Sequence, residues 1–158
     1  MKRARPSPLG SQPPAASWIA RGRLWECPAC GKTYPRRGQS HACVVVTLDE
    51  HFRDRPRARA IFEVFRGAVE RVGGPVRLSI ARTRIGFIAG GITFASVTPR
   101  KERLRAGIVL PRRIDSPRFA RVEHFPPWWL HTLDVRDVAE IDAEVERWLR
   151  ESAAAGRR

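Results

Sequence analysis

Cys27-x2-Cys30 is followed after ten residues by His41-x-Cys43, within the stretch WECPACGKTYPRRGQSHAC. Three thiols and one imidazole are the number and type of ligand that close a tetrahedral zinc site. The two-residue spacing lets a tight turn present both sulfurs to one ion, and Gly31 can take a positive φ just beyond it. A closed set of four leaves no position for water, so the expected Zn2+ is structural and performs no hydrolysis. It would hold in shape a segment too short to own a hydrophobic core. His51, eight residues past Cys43, is an alternative fourth ligand. A redox disulfide between Cys27 and Cys30 is the competing chemistry. A thioredoxin-like pair opens a helix after a strand, however, and Gly31 and Pro35 oppose that helix.

The second candidate chemistry is electrostatic. The 158 residues carry 30 Lys+Arg against 16 Asp+Glu, a formal charge of +14. Only Lys2, Lys32 and Lys101 are lysines, and this Arg-rich, Ala-rich composition is the bias of a GC-rich bacterial genome. Such drift scatters charge evenly, whereas a binding surface concentrates it. Arg77, Arg82, Arg84, Arg100, Lys101, Arg103, Arg105, Arg112 and Arg113 cluster in one part of the chain, where Glu102 and Asp115 are the acidic residues. With strands in simple alternation, one sheet face would show Arg77, Arg84 and Arg105 among Gly86, Thr93, Ala95 and Gly107, beside Ile88, Val97 and Val109. Small residues flanked by guanidinium forks suit a phosphate backbone, so DNA or RNA is the expected partner. Another protein or a small ligand is the alternative, since exposed stacking aromatics are missing from this face.

Residues of catalytic type are few. Ser96, Asp115, His124 and His131 lie in no nucleophile elbow, metal-histidine motif or phosphate loop. His131 is in phase with Trp129 and Leu133, which reads as a core histidine. No catalytic residue is nominated.

The elements that position these groups follow from periodicity. Residues 1–23 are basic and rich in Pro and Ser, and read as a disordered tail. They lack the apolar core of a signal peptide, and no stretch reaches the roughly 18 apolar residues of a membrane helix. A cytoplasmic protein with no membrane partner is expected. Residues 24–46 form the zinc module. Thr47 and Glu50 make a capping-box pattern for a short helix. Pro56, then Ala58, Ile61, Phe62, Phe65, Val69 and Val72, and finally Gly73-Gly74 outline a longer amphipathic helix. From Val76 the period becomes two, with strands expected up to Ala89, over 92–98, 104–110 and 129–135. Asp137, with Glu140 three residues on, is expected to cap a final helix whose face is Val138, Ile141, Val145, Trp148 and Leu149. Helix, four to five strands and helix make an antiparallel α+β domain over 47–152, leaving 153–158 as a disordered end.

WECPACGKTYPRRGQSHAC, TLDEHFRDRP, TRIGF, FASVTPRKERLRAGIVLPRR and VAEIDAEVERWL together resemble a bacterial zinc-finger protein family of unknown function. The resemblance spans about residues 25–152. It implies a short zinc finger joined to an α+β domain also met in predicted transport proteins, with no assigned activity. The His-x-Cys ending departs from common C2H2 and C2HC fingers, which disfavours a DNA-reading finger helix.

Overall fold

The computed structural model describes residues 24–158. The basic tail expected over 1–23 lies outside them. Strands β1 (Trp25–Glu26) and β2 (Thr33–Tyr34) pair antiparallel as a small hairpin. Helices α1 (Leu48–Phe52) and α2 (Pro56–Gly73) follow, then strands β3 (Arg77–Ile80), β4 (Ile85–Ala89), β5 (Ile92–Pro99), β6 (Leu104–Leu110), β7 (Arg121–Phe125) and β8 (Trp128–Val135). A 3-10 turn (Val138–Glu140) and helix α3 (Ala143–Gly156) complete the chain. The main sheet has six antiparallel strands in the order β3-β4-β5-β6-β8-β7. This is the α+β class expected, with more strands than the four to five anticipated. Among the described residues no helix is long and apolar enough to cross a membrane.

The capping box forms as the side chains dictate. The Glu50 amide donates to Thr47 Oγ1 at 3.2 Å, and the Thr47 amide to Glu50 Oε2 at 2.6 Å. α2 starts at Pro56, whose missing amide hydrogen is no loss in a first turn. Its stripe of Ala58, Ile61, Phe62, Phe65, Ala68 and Val69 is buried against one sheet face. There the Phe65 and Phe62 rings lie 5.8 Å and 6.4 Å from Phe87. α3 shares that face, burying Val145, Trp148, Leu149 and Ala153. Ser152 Oγ sits between the carbonyls of Phe94, at 2.7 Å, and Val109, tying α3 to β5 and β6.

Three expectations are corrected. Asp137 caps only the 3-10 turn, and Asp142 caps α3 through the amides of Glu144 and Val145, both at 3.1 Å. Val138 is consequently exposed. The end expected to be disordered from residue 153 is helical through Gly156. Arg157 donates to the Gly73 carbonyl, and the close approach of Gly156 to Gly90 leaves no room for a side chain at position 90.

The third correction concerns strand phase. A bulge lies between Phe87 and Ile88, so Phe87 opposes Ala95 while Ile88 opposes Thr93. Phe94 is the extra residue, and a bulge shifts alternation beyond it. Ala95 and Val97 therefore face the helices, in register with Phe87 and Ile85. The opposite face carries Arg77, Ser79, Gly86, Ile88, Thr93, Ser96, Gly107, Arg105 and Val109.

Candidate metal centre and its seat on the sheet

The finger contributes little apolar burial. Among its described residues Cys27 is the one buried hydrophobic side chain, whereas the core of the sheet and helices runs from Phe52 to Ala153. Local bonds shape the knuckle. The Gly31 amide donates to the Cys27 carbonyl at 2.8 Å, and the Cys27 amide to the Lys32 carbonyl at 2.7 Å. Gly31 sits at φ +67°, where a side chain would be strained.

This turn, with the β1-β2 hairpin, brings Cys27, Cys30, His41 and Cys43 together, all four ligand atoms lying within 4.8 Å of one another. An ion about 2.3 Å from sulfur and about 2.0 Å from nitrogen at tetrahedral angles sets sulfurs about 3.8 Å apart, and sulfur and nitrogen about 3.5 Å apart. Cys27 Sγ and Cys43 Sγ are 3.8 Å apart, and Cys30 Sγ and His41 Nε2 3.4 Å. Cys43 Sγ to His41 Nε2 is a little tighter, at 3.1 Å. His41 Nδ1 donates to the Gln39 carbonyl at 2.6 Å. That bond fixes the proton on Nδ1 and points the Nε2 lone pair at the sulfurs, as a metal-ligating histidine requires. Tyr34 stacks on the His41 ring at 4.1 Å and holds its plane.

The thiols are unequal. Burial pushes Cys27 up, but the amides of Ala29 and Cys30 and the neighbouring thiols outweigh it and bring the group to about 7. Burial and the Cys27 sulfur push Cys43 up to about 11. The donor set, its spacing and the Gln39 bond fit a metal ion. His51 does not belong to it. Its Nε2 lies 2.7 Å from the Ala81 carbonyl, binding α1 to the turn between β3 and β4.

The finger sits on the sheet face away from the helices. Glu26 pairs with Arg77, and Thr33 Oγ1 donates to Ser79 Oγ at 3.4 Å. Between them is a cavity of about 170 Å3, lined from the finger by Lys32, Tyr34 and Gln39 and from the sheet by Ser79, Arg84 and Thr93.

This seat, and the protein's own carboxylates, redistribute the expected basic array. Arg77 faces Glu26 and Arg84 faces the cavity. Arg105 forks onto Asp134 at 3.0 and 3.2 Å, and Arg103 reaches the same carboxylate at 3.5 Å. Arg105 thereby holds the Asp134 carboxyl below its ordinary range. Arg112 forks onto Glu151 at 2.9 Å through both nitrogens, and Arg113 bonds Asp115 at 3.0 Å and lies over the Trp129 ring. Arg82, Arg100 and Lys101 are exposed. The residues of catalytic type do not converge. Ser96 lies on the finger side of the sheet, while His131, fully buried, lies on the helix side and accepts the Ile114 amide at 2.9 Å. Asp115 engages Arg113, and His124 stacks on Trp129 at 4.2 Å.

Glu26, Gln39 and Asp134 matter to this arrangement and are not legible as functional residues from sequence. Asp134 becomes a partner only through its register opposite Arg105, and Glu26 only through the docking of the finger. Gln39 acts through its backbone carbonyl, which carries no side-chain signal.

Fold and site together define an α+β protein that carries an N-terminal Cys3His cluster able to hold a metal ion. The family model of a domain of unknown function, DUF5655, matches residues 48–153, and the chain belongs to that family. The cluster lies before the matched span. No curated protein and no solved structure matches the chain.

Proposed function

We propose that the cluster binds a structural Zn2+ and that the protein binds nucleic acid, without chemistry, through one end of its sheet. Softer thiolate ligands with one imidazole favour zinc, and four protein ligands leave no open coordination position. The observation that supports nucleic acid is where the hairpin turns fall. The register of β4 against β5 sets turns 81–84 and 100–103 side by side at one end. They expose Arg82, Arg100 and Lys101 there, beside Arg103, with Glu102 the acidic residue in these turns. The face of the sheet, on which the finger docks, is a poorer platform than this end. Exposed cations at a rim attract phosphates by counterion release, with affinity that falls as salt rises.

Fluorescence anisotropy with labelled duplex and single-stranded DNA and RNA tests this. Binding should weaken steeply with salt, and replacing Arg82, Arg100 and Lys101 together by Gln should lower the log–log salt slope by about 2 to 3, roughly one for each phosphate no longer neutralised. Salt-insensitive binding, no binding, or a triple variant indistinguishable from wild type would overturn the proposal.

A further inference from the structure

The cavity under the finger borders both the metal centre, through Tyr34 and Gln39, and the basic end, through Ala81 and Arg84 of turn 81–84, and is distinct from the ligand set and from the exposed cations. Its two walls come from different parts of the chain, meeting at the Thr33–Ser79 hydroxyl pair. Lys32, on the finger wall, is only 7% exposed. Its ammonium has three donors, and one long hydrogen bond of 3.4 Å to the Ala42 carbonyl engages only part of that capacity. Arg84, on the sheet wall, is half-buried, and burial brings its guanidinium down to about 10. Tyr34, Gln39, Ser79 and Thr93 add hydroxyl and amide donors. Among the described residues lining the cavity none is acidic. A buried lysine and a half-buried arginine lining facing walls of one cavity favour an anion between them.

We propose that this cavity binds a phosphoryl anion, held between Arg84 of the sheet and Lys32 of the finger. Charge supplied from both walls suits a dianion, and hydroxyl donors spread around the space suit an anion with several oxygens better than a flat carboxylate. Size limits the rest of the ligand. A cavity of roughly 150 Å3 takes a molecule of benzene's size, so about 170 Å3 admits inorganic phosphate or a small monoester. Gly86 keeps the floor open, because a Cβ there would stand 3.1 Å from the Thr93 methyl. The finger supplies one wall, so zinc loading and anion binding are linked, whereas the exposed Arg100 and Lys101 of the neighbouring turn take no part.

Isothermal titration calorimetry of the zinc-loaded full chain with inorganic phosphate, in chloride buffer, tests the proposal. Saturable one-site binding is expected, tighter for phosphate or methyl phosphate than for acetate. The tighter of the two phosphates identifies the free or the esterified anion. Arg84→Gln should weaken binding at least about tenfold, and Thr93→Val, nearly the same shape, about threefold or more at unchanged zinc content. Arg100→Gln should leave phosphate affinity within about twofold while weakening nucleic-acid binding, which separates this site from the basic end. Absence of saturable binding, acetate bound as tightly as phosphate, or Arg84→Gln and Thr93→Val both binding like wild type would overturn it.

Discussion

The finger and the sheet domain are stabilised by different physics. Between Leu24 and Val46 the cluster of three sulfurs and one imidazole takes the place of a core, and one buried cysteine is all the apolar burial available. From Leu48 onward Phe62, Phe65, Phe87, Phe94 and Leu149 close a core in which every one of them is fully buried. A metal-held segment stands or falls with its ligands, whereas a burial-held domain loses stability by increments. The two meet through a salt bridge, a hydroxyl pair and a cavity, so each can be broken with little damage to the other.

The largest effect is expected at the metal. Cys30→Ser should take zinc from one per chain to none and unfold residues 24–46, while the far-ultraviolet signature of the sheet domain persists. Elemental analysis and amide exchange check this, and the loss is on the order of the 10 kcal/mol that such sites contribute in finger peptides. Next, Phe65→Ala should cost the sheet domain about 3 to 5 kcal/mol in denaturant titration at unchanged zinc content. A parallel loss of zinc would show that the two regions are not independent.

A smaller effect is expected from pH. Desolvation lowers the His131 pKa from its ordinary 6.5, so the unfolded chain takes up a proton that the folded one resists. The resulting stability is present above about pH 6.5 and is lost as the pH falls below it. Thermal melts of wild type should drop over that range more steeply than those of His131→Phe. Equal slopes would show that His131 contributes nothing to the acid sensitivity. The smallest effect is at the junction itself. Arg77→Ala breaks the pair with Glu26, both side chains about half exposed, and should cost no more than about 1 kcal/mol. Faster amide exchange in β1 and β2, with zinc retained, is the expected reading.

The same division governs what the chain makes legible. The ligand set can be read directly because metal chemistry is written in residue types and short spacings, and only the choice between His41 and His51 needs the fold. Helix α2 is legible because its stripe is unbroken. The face of β5 is not, since Phe94 is an apolar residue among apolar residues and nothing local marks it as the bulge. β7 escapes a reading by pattern because Glu123 and His124 interrupt an already short run ahead of Pro126-Pro127. The start of α3 is ambiguous because Asp137 and Asp142 are both competent caps, and tertiary packing of Val145 chooses the second. The basic residues are visible as a cluster, but their ion pairs depend on strand register and docking, which no local pattern encodes.

Above all, four side chains of the finger close one metal site that holds the finger in shape. X-ray absorption at the zinc edge of the purified full chain tests it most directly. One zinc per chain surrounded by three sulfurs at about 2.3 Å and one nitrogen at about 2.0 Å is the predicted result. A chain without zinc, or a coordination shell containing oxygen or fewer than three sulfurs, would contradict it.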